Sequence, residues 1–475
     1  MVGAILLIGF IATALFPKLR KNLFLIWRDA LQHFMMFSQG KSEVPLRHTC
    51  YFVFIPFILY AMVNGRKISP YDNYGIQLTT ASLILNRTFN FAALLGQDKA
   101  DCSINQTIPS VCDSSGVRQI TPLGVLIFSL PIFFSAHTMG ANLKNHTILW
   151  RLSKWTASLI AAASLSLFFL VALRLGSPSA AMVSTLFVGT GSALLSTVSQ
   201  GLWSHDGVIF GLLLSLYGIF AVPRDPWRYI YIGVGWSLMF ASRLTSIPMI
   251  GCMAVWILII NYKLFLRVSA IATIALIPWL YLNHRVWGNW LGGQATAVHG
   301  QTGVFTFEMM PEGLYGLTFG PSSGFFIFQT WALLLFCYSY RPLRASINSQ
   351  EVQGRLLAFL SMGLSQLLVF SAFYQWSGQQ CWGTRYLTEV VPLAGLATIP
   401  LLSSFADKLW MRRLAWILGS LAFLIHFNGI ILSGSHWYHD SMKSYSTIEK
   451  RCLDWKDPAF LYPISRWVFN EGQRN

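Results

Sequence analysis

The sequence predicts an all-α fold, a polytopic bundle of about 11–13 membrane helices. Only 11% of the 475 residues are charged, whereas soluble domains carry about 25%. The apolar residues also form long, nearly uncharged runs, such as 153–173, 208–222 and 414–432. These runs approach the roughly 20 residues that a crossing helix needs. Because the hydrocarbon core offers no hydrogen-bond partners to the backbone, the runs must be helical.

The net charge of +16 is distributed in a way that argues against nucleic-acid binding. Basic residues stand in short clusters at the ends of apolar runs, as at 18–21, 341–344 and 412–413. Such clusters are typical of cytosolic topology signals in membrane proteins. We therefore expect contact with membrane lipids and not with nucleic acid.

Placing the basic clusters in the cytosol divides the chain into three parts. Residues 1–47 form an N-terminal helix and a basic cytosolic or interfacial segment, 48–433 form the transmembrane core, and 434–475 form an extracytoplasmic tail. Within the core, 65–120 and 284–322 are predicted as two long extracytoplasmic loops. The loops on this side hold most of the residues that could carry chemistry.

One part of this topology is inconsistent. Three crossings by the runs 121–137, 153–173 and 179–198 would leave the segment around residue 203 in the cytosol, whereas the next helix needs the opposite orientation. One run must then be re-entrant or interfacial. We suspect 121–137, because it contains Pro122 and Pro131.

The first long loop contains two cysteines, Cys102 and Cys112. In an oxidising compartment they could form a disulfide bond. Two free thiols fit the sequence equally well, and the choice stays open at this point.

Three acidic or basic side chains beside apolar runs are candidate catalytic residues: Asp72, His205 and Asp206. Asp72 follows a membrane exit and precedes a helix predicted over 75–85, which is amphipathic enough to lie along the surface. A carboxylate there could act as a general base toward a hydroxyl. The alternative for both carboxylates is a helix cap. Ionisable residues near lipid are costly and tend to be functional, which favours chemistry for the His-Asp pair.

The segment 376–386 is the strongest candidate for ligand binding. It interleaves Trp376, Trp382 and Tyr386 with glycines, glutamines and Arg385. Aromatic faces suit sugar rings, and arginine is suited to bidentate phosphate binding. An interfacial aromatic belt would explain the aromatic residues but not the rest.

Two further residues outside that segment are candidates for ligand binding. Arg243 stands alone between two apolar runs and could hold a phosphate or extend to water. Trp203 precedes the His-Asp pair and offers a further aromatic face. No spacing typical of metal ligands appears, and no metal site is predicted.

Taken together, these stretches resemble the C-type superfamily of polytopic membrane glycosyltransferases, and most closely its uncharacterised bacterial members. These enzymes use polyprenyl-phosphate-linked sugars, and their relatives include protein O-mannosyltransferases and aminoarabinose transferases. The resemblance rests on an early outer-loop Asp, a Pro-Gly-rich helix entry, a Trp-rich turn, a Gly-Leu-Tyr-Gly-Leu loop and a Gly-x-Arg-Tyr-Leu segment. They correspond here to Asp72, 121–124, 202–206, 313–324 and 376–387, in the same order over about residues 50–400.

The resemblance implies a glycosyltransferase that moves a sugar from a polyprenyl-phosphate donor to a hydroxyl of a glycan, lipid or protein acceptor. Asp72 would act as the base of a metal-independent, inverting displacement, and Arg385 with Arg243 would stabilise the departing phosphate. The donor is a co-substrate, and no cofactor is predicted.

The implied location is the bacterial inner membrane, with the active site facing the periplasm or exterior, where the enzyme would help build a cell-envelope glycan. The alternative is a transporter or a flippase for lipids or glycans, which would place its site near the midplane of two repeated halves. No internal repeat is visible in the sequence.

Overall fold

The computed structural model describes ten stretches of the chain, and these stretches are largely helical. They are 46–63, 71–95, 110–113, 116–223, 225–298, 303–340, 349–378, 381–405, 408–431 and 447–462. The predicted N-terminal helix, the basic clusters at 18–21 and 341–344, and much of the tail 434–475 lie outside the described residues. Cys102 also lies outside them, so the disulfide bond stays a prediction.

The first half of the bundle runs from α1 to α8. These helices are α1 (Leu46–Val63), α2 (Tyr71–Asn86), α3 (Leu126–Thr138), α4 (His146–Ala172), α5 (Pro178–Thr190), α6 (Ala193–Ser196), α7 (Ser204–Phe220) and α8 (Trp227–Ser242). Between α2 and α3 a small antiparallel hairpin is formed by β1 (Ser110–Asp113) and β2 (Gly116–Gln119). Short 3₁₀ turns cover Ala92–Leu95, Leu123–Val125 and Val198–Gln200.

The second half runs from α9 to α17. These helices are α9 (Ile247–Ile260), α10 (Tyr262–Trp287), α11 (Gly293–Val298), α12 (Met310–Phe319), α13 (Phe325–Phe328), α14 (Gln350–Ser371), α15 (Val390–Ser404), α16 (Leu409–Ile431) and α17 (Ile448–Cys452). The 3₁₀ segments are Leu244–Ser246, Thr330–Ser339, Arg385–Leu387 and Ala459–Leu461.

The predicted all-α class and membrane integration are confirmed. Five helical segments of the described chain are long and apolar enough to cross a membrane, namely α4, α5 together with α6, α10, α14 and α16. Large apolar side chains also face outward, including Ile259 at 78%, Leu357 at 70% and Ile274 at 68% exposure. A surface of this kind suits lipid and not water. The protein is an integral membrane protein, and the total of 11–13 crossings stays a prediction.

The inconsistent region of the predicted topology contains the short helix α3. Helix α3 has 13 residues, which span about 20 Å at 1.5 Å per residue. The hydrocarbon core is about 30 Å thick. This length is compatible with a re-entrant or interfacial path for the run 121–137, and the path stays a prediction.

The prediction that 75–85 forms a surface helix is only half right. The segment is helical within α2, but the residues from Gly75 to Ser82 are all buried. Two of its buried polar side chains are hydrogen-bonded: Thr80 pairs with Ser129 at 2.9 Å, and Ser82 donates to the carbonyl of Asn90 at 2.6 Å. The polar face that suggested a surface position therefore faces neighbouring elements of the protein.

Small residues bring α7 and α8 close together in antiparallel orientation. A Cβ added to Gly211 would lie 2.7 Å from the carbonyl oxygen of Gly235, and Ser242 packs against Gly207. Glycine and serine at such contacts let membrane helices approach closely. As a result the start of α7 meets the end of α8, where His205 and Arg243 lie.

The second long loop contains two helices. Helices α11 and α12 both lie within 284–322, and the prediction of a loop over 313–324 is wrong for its first half, which belongs to α12. Gly313 packs on the backbone of Ser371, and Gly316 packs on the ring of Trp376. A larger side chain at either glycine would separate α12 from the end of α14.

Candidate active site

A cavity of about 370 Å³ lies where the ends of α7, α8 and α14 meet the 3₁₀ turn 385–387. Its wall combines aromatic and aliphatic side chains with two arginines. The lining residues include Ile76, Thr121, Trp203, Arg243, Arg385 and Tyr386. Among the described residues that line it, none is acidic. The cavity is therefore suited to an anionic ligand with an apolar portion.

Trp203 forms one wall because the turn before α7 fixes its indole ring. The indole Nε1 donates a hydrogen bond to the carbonyl of Thr197 at 3.2 Å. The backbone N–H of Trp203 donates to the carboxylate of Asp206 at 2.5 Å. Both contacts hold the indole at the edge of the cavity.

Asp206 acts as a helix cap in this arrangement. It is the third residue of α7 and fully buried. A carboxylate in the first turn of a helix satisfies a backbone donor and is favoured by the helix dipole. The structure does not place it on the cavity wall, so the capping alternative describes its position.

Arg243 reaches the cavity from the C-cap position directly after α8. Its side chain is buried, with 6% residual exposure. The guanidinium carbon lies 5.3 Å from the ring centre of Phe370 and 5.7 Å from that of Tyr386. Cationic groups are attracted to aromatic faces at this distance. The Nε atom is buried and has no hydrogen-bond partner among the described residues.

Arg385 lines the same cavity and also lies beside Tyr386. Its guanidinium carbon lies 4.5 Å from the ring centre of Trp203 and 5.6 Å from that of Tyr386. Tyr386 stacks on Phe370 with centroids 4.6 Å apart and an angle of 2° between the planes. Gly378 has φ +71° and packs on the Cβ of Arg385, so this turn needs glycine. Both arginines thus lie beside the ring of Tyr386.

Glu389 is a site residue that the sequence reasoning missed. Its Oε1 accepts a hydrogen bond from Nδ1 of His205 at 2.7 Å, and both side chains are almost fully buried. Nη1 of Arg243 lies 3.8 Å from the same oxygen. The sequence does contain an indication of its importance, because Glu389 is a lone carboxylate at the start of an apolar run, four residues after Arg385. His205 does not line the cavity and lies behind Arg243.

Burial and neighbouring charges set the ionisation of the residues that follow α14. Burial lowers the pKa of Arg385, and the nearby side chains of Tyr386 and Glu389 oppose this effect. Burial raises the pKa of the Tyr386 phenol, and the two arginines oppose this effect. Burial alone would raise the pKa of Glu389, but the neighbouring His205 and Arg243 hold it below its ordinary value. Glu389 is therefore a carboxylate at neutral pH.

Asp72 lies in the first turn of α2, and its side chain is outside the described part of the structure. Ile76, one helical turn later, lines the cavity. Residues at i and i+4 share a face of a helix. The backbone of α2 therefore brings Asp72 within one turn of the cavity wall.

Trp376 and Trp382 do not line the cavity. Trp376 is fully buried against Gly316. Trp382 packs on Gly429, and its Nε1 donates to the carbonyl of Ile425 at 3.2 Å. The structure therefore gives both indoles a packing role, whereas Trp203 and Tyr386 are the aromatic residues of the predicted set that face the cavity.

Among the residues that the structure describes, no three His, Cys, Asp or Glu side chains come together as metal ligands would. The charged groups at the cavity are two arginines, with one carboxylate behind them. This arrangement can bind an anion and stabilise a charge that grows on it.

No protein-family model matches the sequence, and no curated protein matches it. Among solved structures, the fold is similar to that of ArnT from Cupriavidus metallidurans, determined with undecaprenyl phosphate bound. The similarity has a TM-score of 0.49 at 13% sequence identity and covers 79% of this chain. The chain matches 62% of the ArnT chain, which is less than two thirds of its length.

Proposed function

We propose that this protein is a membrane glycosyltransferase that moves a sugar from a polyprenyl-phosphate donor to an acceptor hydroxyl. The observation that carries the proposal is the pair Arg243 and Arg385 on the wall of one cavity, both within 6 Å of the ring centre of Tyr386. A guanidinium binds phosphate oxygens through a planar pair of donors. The aromatic and aliphatic remainder of the wall accommodates the sugar ring and the first isoprene units.

The balance of charge fits a lipid phosphate as the leaving group. The Glu389 carboxylate offsets one of the two arginines, so Arg243, Arg385 and Glu389 together carry about one net positive charge, without counting the proposed base Asp72. A sugar-phosphate diester carries one negative charge, and the released lipid phosphate carries a second. Positive groups fixed in a site that excludes water stabilise the second charge as it develops. The two arginines thus stabilise the transition state more than they stabilise the bound donor.

The reaction that we propose is a single displacement. The acceptor oxygen forms a bond to the anomeric carbon while the bond from that carbon to the phosphate oxygen breaks. Asp72 takes the acceptor proton, and the polyprenyl phosphate leaves with the bonding electrons. A direct attack of this kind inverts the anomeric configuration. The displacement needs no metal and no cofactor, because the donor already carries an activated sugar and the arginines supply the positive charge.

The proposed acceptor is a glycan, a lipid or a protein of the cell envelope. The proposed site faces the periplasm or the exterior of a bacterial inner membrane. The support for this orientation is the distribution of basic clusters in the sequence.

The decisive experiment follows the bond between sugar and phosphate. Membranes containing the protein are incubated with a polyprenyl-phosphate donor whose sugar is radiolabelled, and the lipid and polymer fractions are separated. Transfer predicts free polyprenyl phosphate together with label on a new acceptor, and loss of both with Asp72→Asn. Relocation of the intact donor without cleavage would instead indicate the flippase alternative and contradict the proposal.

A further inference from the structure

The buried carboxylate of Glu389 has no step in the proposed displacement, yet it lies one side chain behind the cavity. Charged groups are costly to bury unless they are paired. Glu389 occupies the position just before α15, where the helix dipole favours a negative charge. We propose that Glu389, acting through His205, positions the guanidinium of Arg243 for the donor's phosphate. This inference rests on the proposed function.

The imidazole of His205 links the two charged groups. Its Nδ1 donates to Oε1 of Glu389 at 2.7 Å. Because Nδ1 directs its proton to the carboxylate, Nε2 has the free lone pair. Nη1 of Arg243 contacts both ring nitrogens, at 2.9 Å from Nδ1 and closer still to Nε2. Nη1 is 3.8 Å from Oε1 of Glu389, so the imidazole makes the hydrogen bonds and the two charges attract each other through space. The three groups form one chain that ends at the cavity.

This chain determines where the donor groups of Arg243 point before a ligand arrives. An arginine side chain loses much conformational freedom when it is ordered. Here the bond to His205 holds one end of the guanidinium, and the rings of Phe370 and Tyr386 lie beside it. The buried Nε remains without a partner in the described part of the chain. A guanidinium fixed in this way binds phosphate without a further ordering cost.

The role of His205 can be tested by a double-mutant cycle with Arg243. The measured quantity is the Kd of the detergent-solubilised full chain for undecaprenyl phosphate, with undecaprenol as the uncharged control. We expect His205→Ala to raise the Kd for undecaprenyl phosphate about tenfold and to leave the Kd for undecaprenol unchanged. His205→Gln should restore most of the affinity, because an amide can both donate to the carboxylate and accept from the guanidinium. In an Arg243→Ala background, His205→Ala should change the Kd less than about twofold.

Two results would overturn the inference while the proposed function stands. One is an equal loss from His205→Ala in the wild-type and Arg243→Ala backgrounds, which would show an effect independent of the arginine. The other is an equal loss for undecaprenol, which would show a general packing role. If the wild-type protein binds undecaprenyl phosphate no better than undecaprenol, the proposed function itself fails, and the inference fails with it.

Two substitutions of Glu389 separate position from charge, and they keep the test decisive if His205→Ala does not fold. Glu389→Gln retains an acceptor for His205 and removes a negative charge near the ligand, so the Kd for undecaprenyl phosphate should stay equal or fall. Glu389→Ala leaves Nδ1 of His205 without its acceptor, and the Kd should rise. If Glu389 only neutralised Arg243, both variants would lower the Kd, and that result would contradict a positioning role.

Discussion

Replacing Arg385 tests whether its guanidinium, which lies beside the rings of Trp203 and Tyr386, binds the donor's phosphate. The guanidinium lies 4.5 Å from the ring centre of Trp203 and 5.6 Å from that of Tyr386. Arg385→Ala removes a charge-assisted hydrogen bond to the ligand, which contributes about 1.5–3 kcal/mol. The Kd for undecaprenyl phosphate should therefore rise about 10- to 150-fold. Arg385→Lys keeps the charge but loses the planar fork and its stacking, so we expect a smaller rise of about five- to tenfold.

The assay needs an arginine of similar chemistry that is remote from the cavity. Arg355 provides this control, since it lies in α14 over the ring of Phe220 and pairs with Glu351. It is 15 residues before Phe370, or about 22 Å along the helix. Arg355→Ala should leave the Kd within about twofold of wild type. An unchanged Kd in Arg385→Ala, with a folded protein, would refute the phosphate role and leave Arg385 as an interfacial anchor.

Three further changes test the base, the packing and the buried carboxylate. Asp72→Asn should lower turnover by about 10²–10⁴, the contribution of a general base, with donor Kd unchanged, and near-normal transfer would remove Asp72 from the mechanism. Gly316→Ala should destabilise the protein by about 1–3 kcal/mol, because a Cβ there meets the ring of Trp376. Gly354→Ala, at an open position in α14, should be neutral or slightly stabilising by thermal unfolding. The lowered pKa of Glu389 means that its charge stabilises the fold at neutral pH, and that this stability is lost as the pH falls through the folded-state pKa. The difference in Tm between wild type and Glu389→Gln should therefore shrink from pH 7 to about pH 4, and a constant difference would contradict the assignment.

Much of the cavity could be predicted from the sequence, because its residues stand out one by one. Trp203, Arg243, Arg385 and Tyr386 are each polar or aromatic residues beside apolar runs, and the structure brings all four to one wall. The all-α membrane class follows equally directly from composition, because the hydrocarbon core offers the backbone no hydrogen-bond partners and a crossing segment must therefore pair its own polar groups.

The pairing of Glu389 with His205 could not be predicted. The two residues are separated by 184 positions, and only the packing of the helices makes them neighbours. The role of Asp206 could not be predicted either, because the sequence around a carboxylate in the first turn of a helix does not distinguish a helix cap from a catalytic residue. Trp376 and Trp382 show the same limit, since their sequence context does not reveal that Gly316 and Gly429 cover their rings.

The position of a bound lipid phosphate tests the central claim most directly. A structure of the full chain with undecaprenyl phosphate, determined by electron cryo-microscopy in lipid nanodiscs, would locate the phosphorus atom. The account predicts phosphate oxygens within hydrogen-bond distance of Arg243 and Arg385, with the isoprenoid chain leaving toward the bilayer. A phosphate bound elsewhere on the protein, with the cavity between these arginines empty, would contradict it.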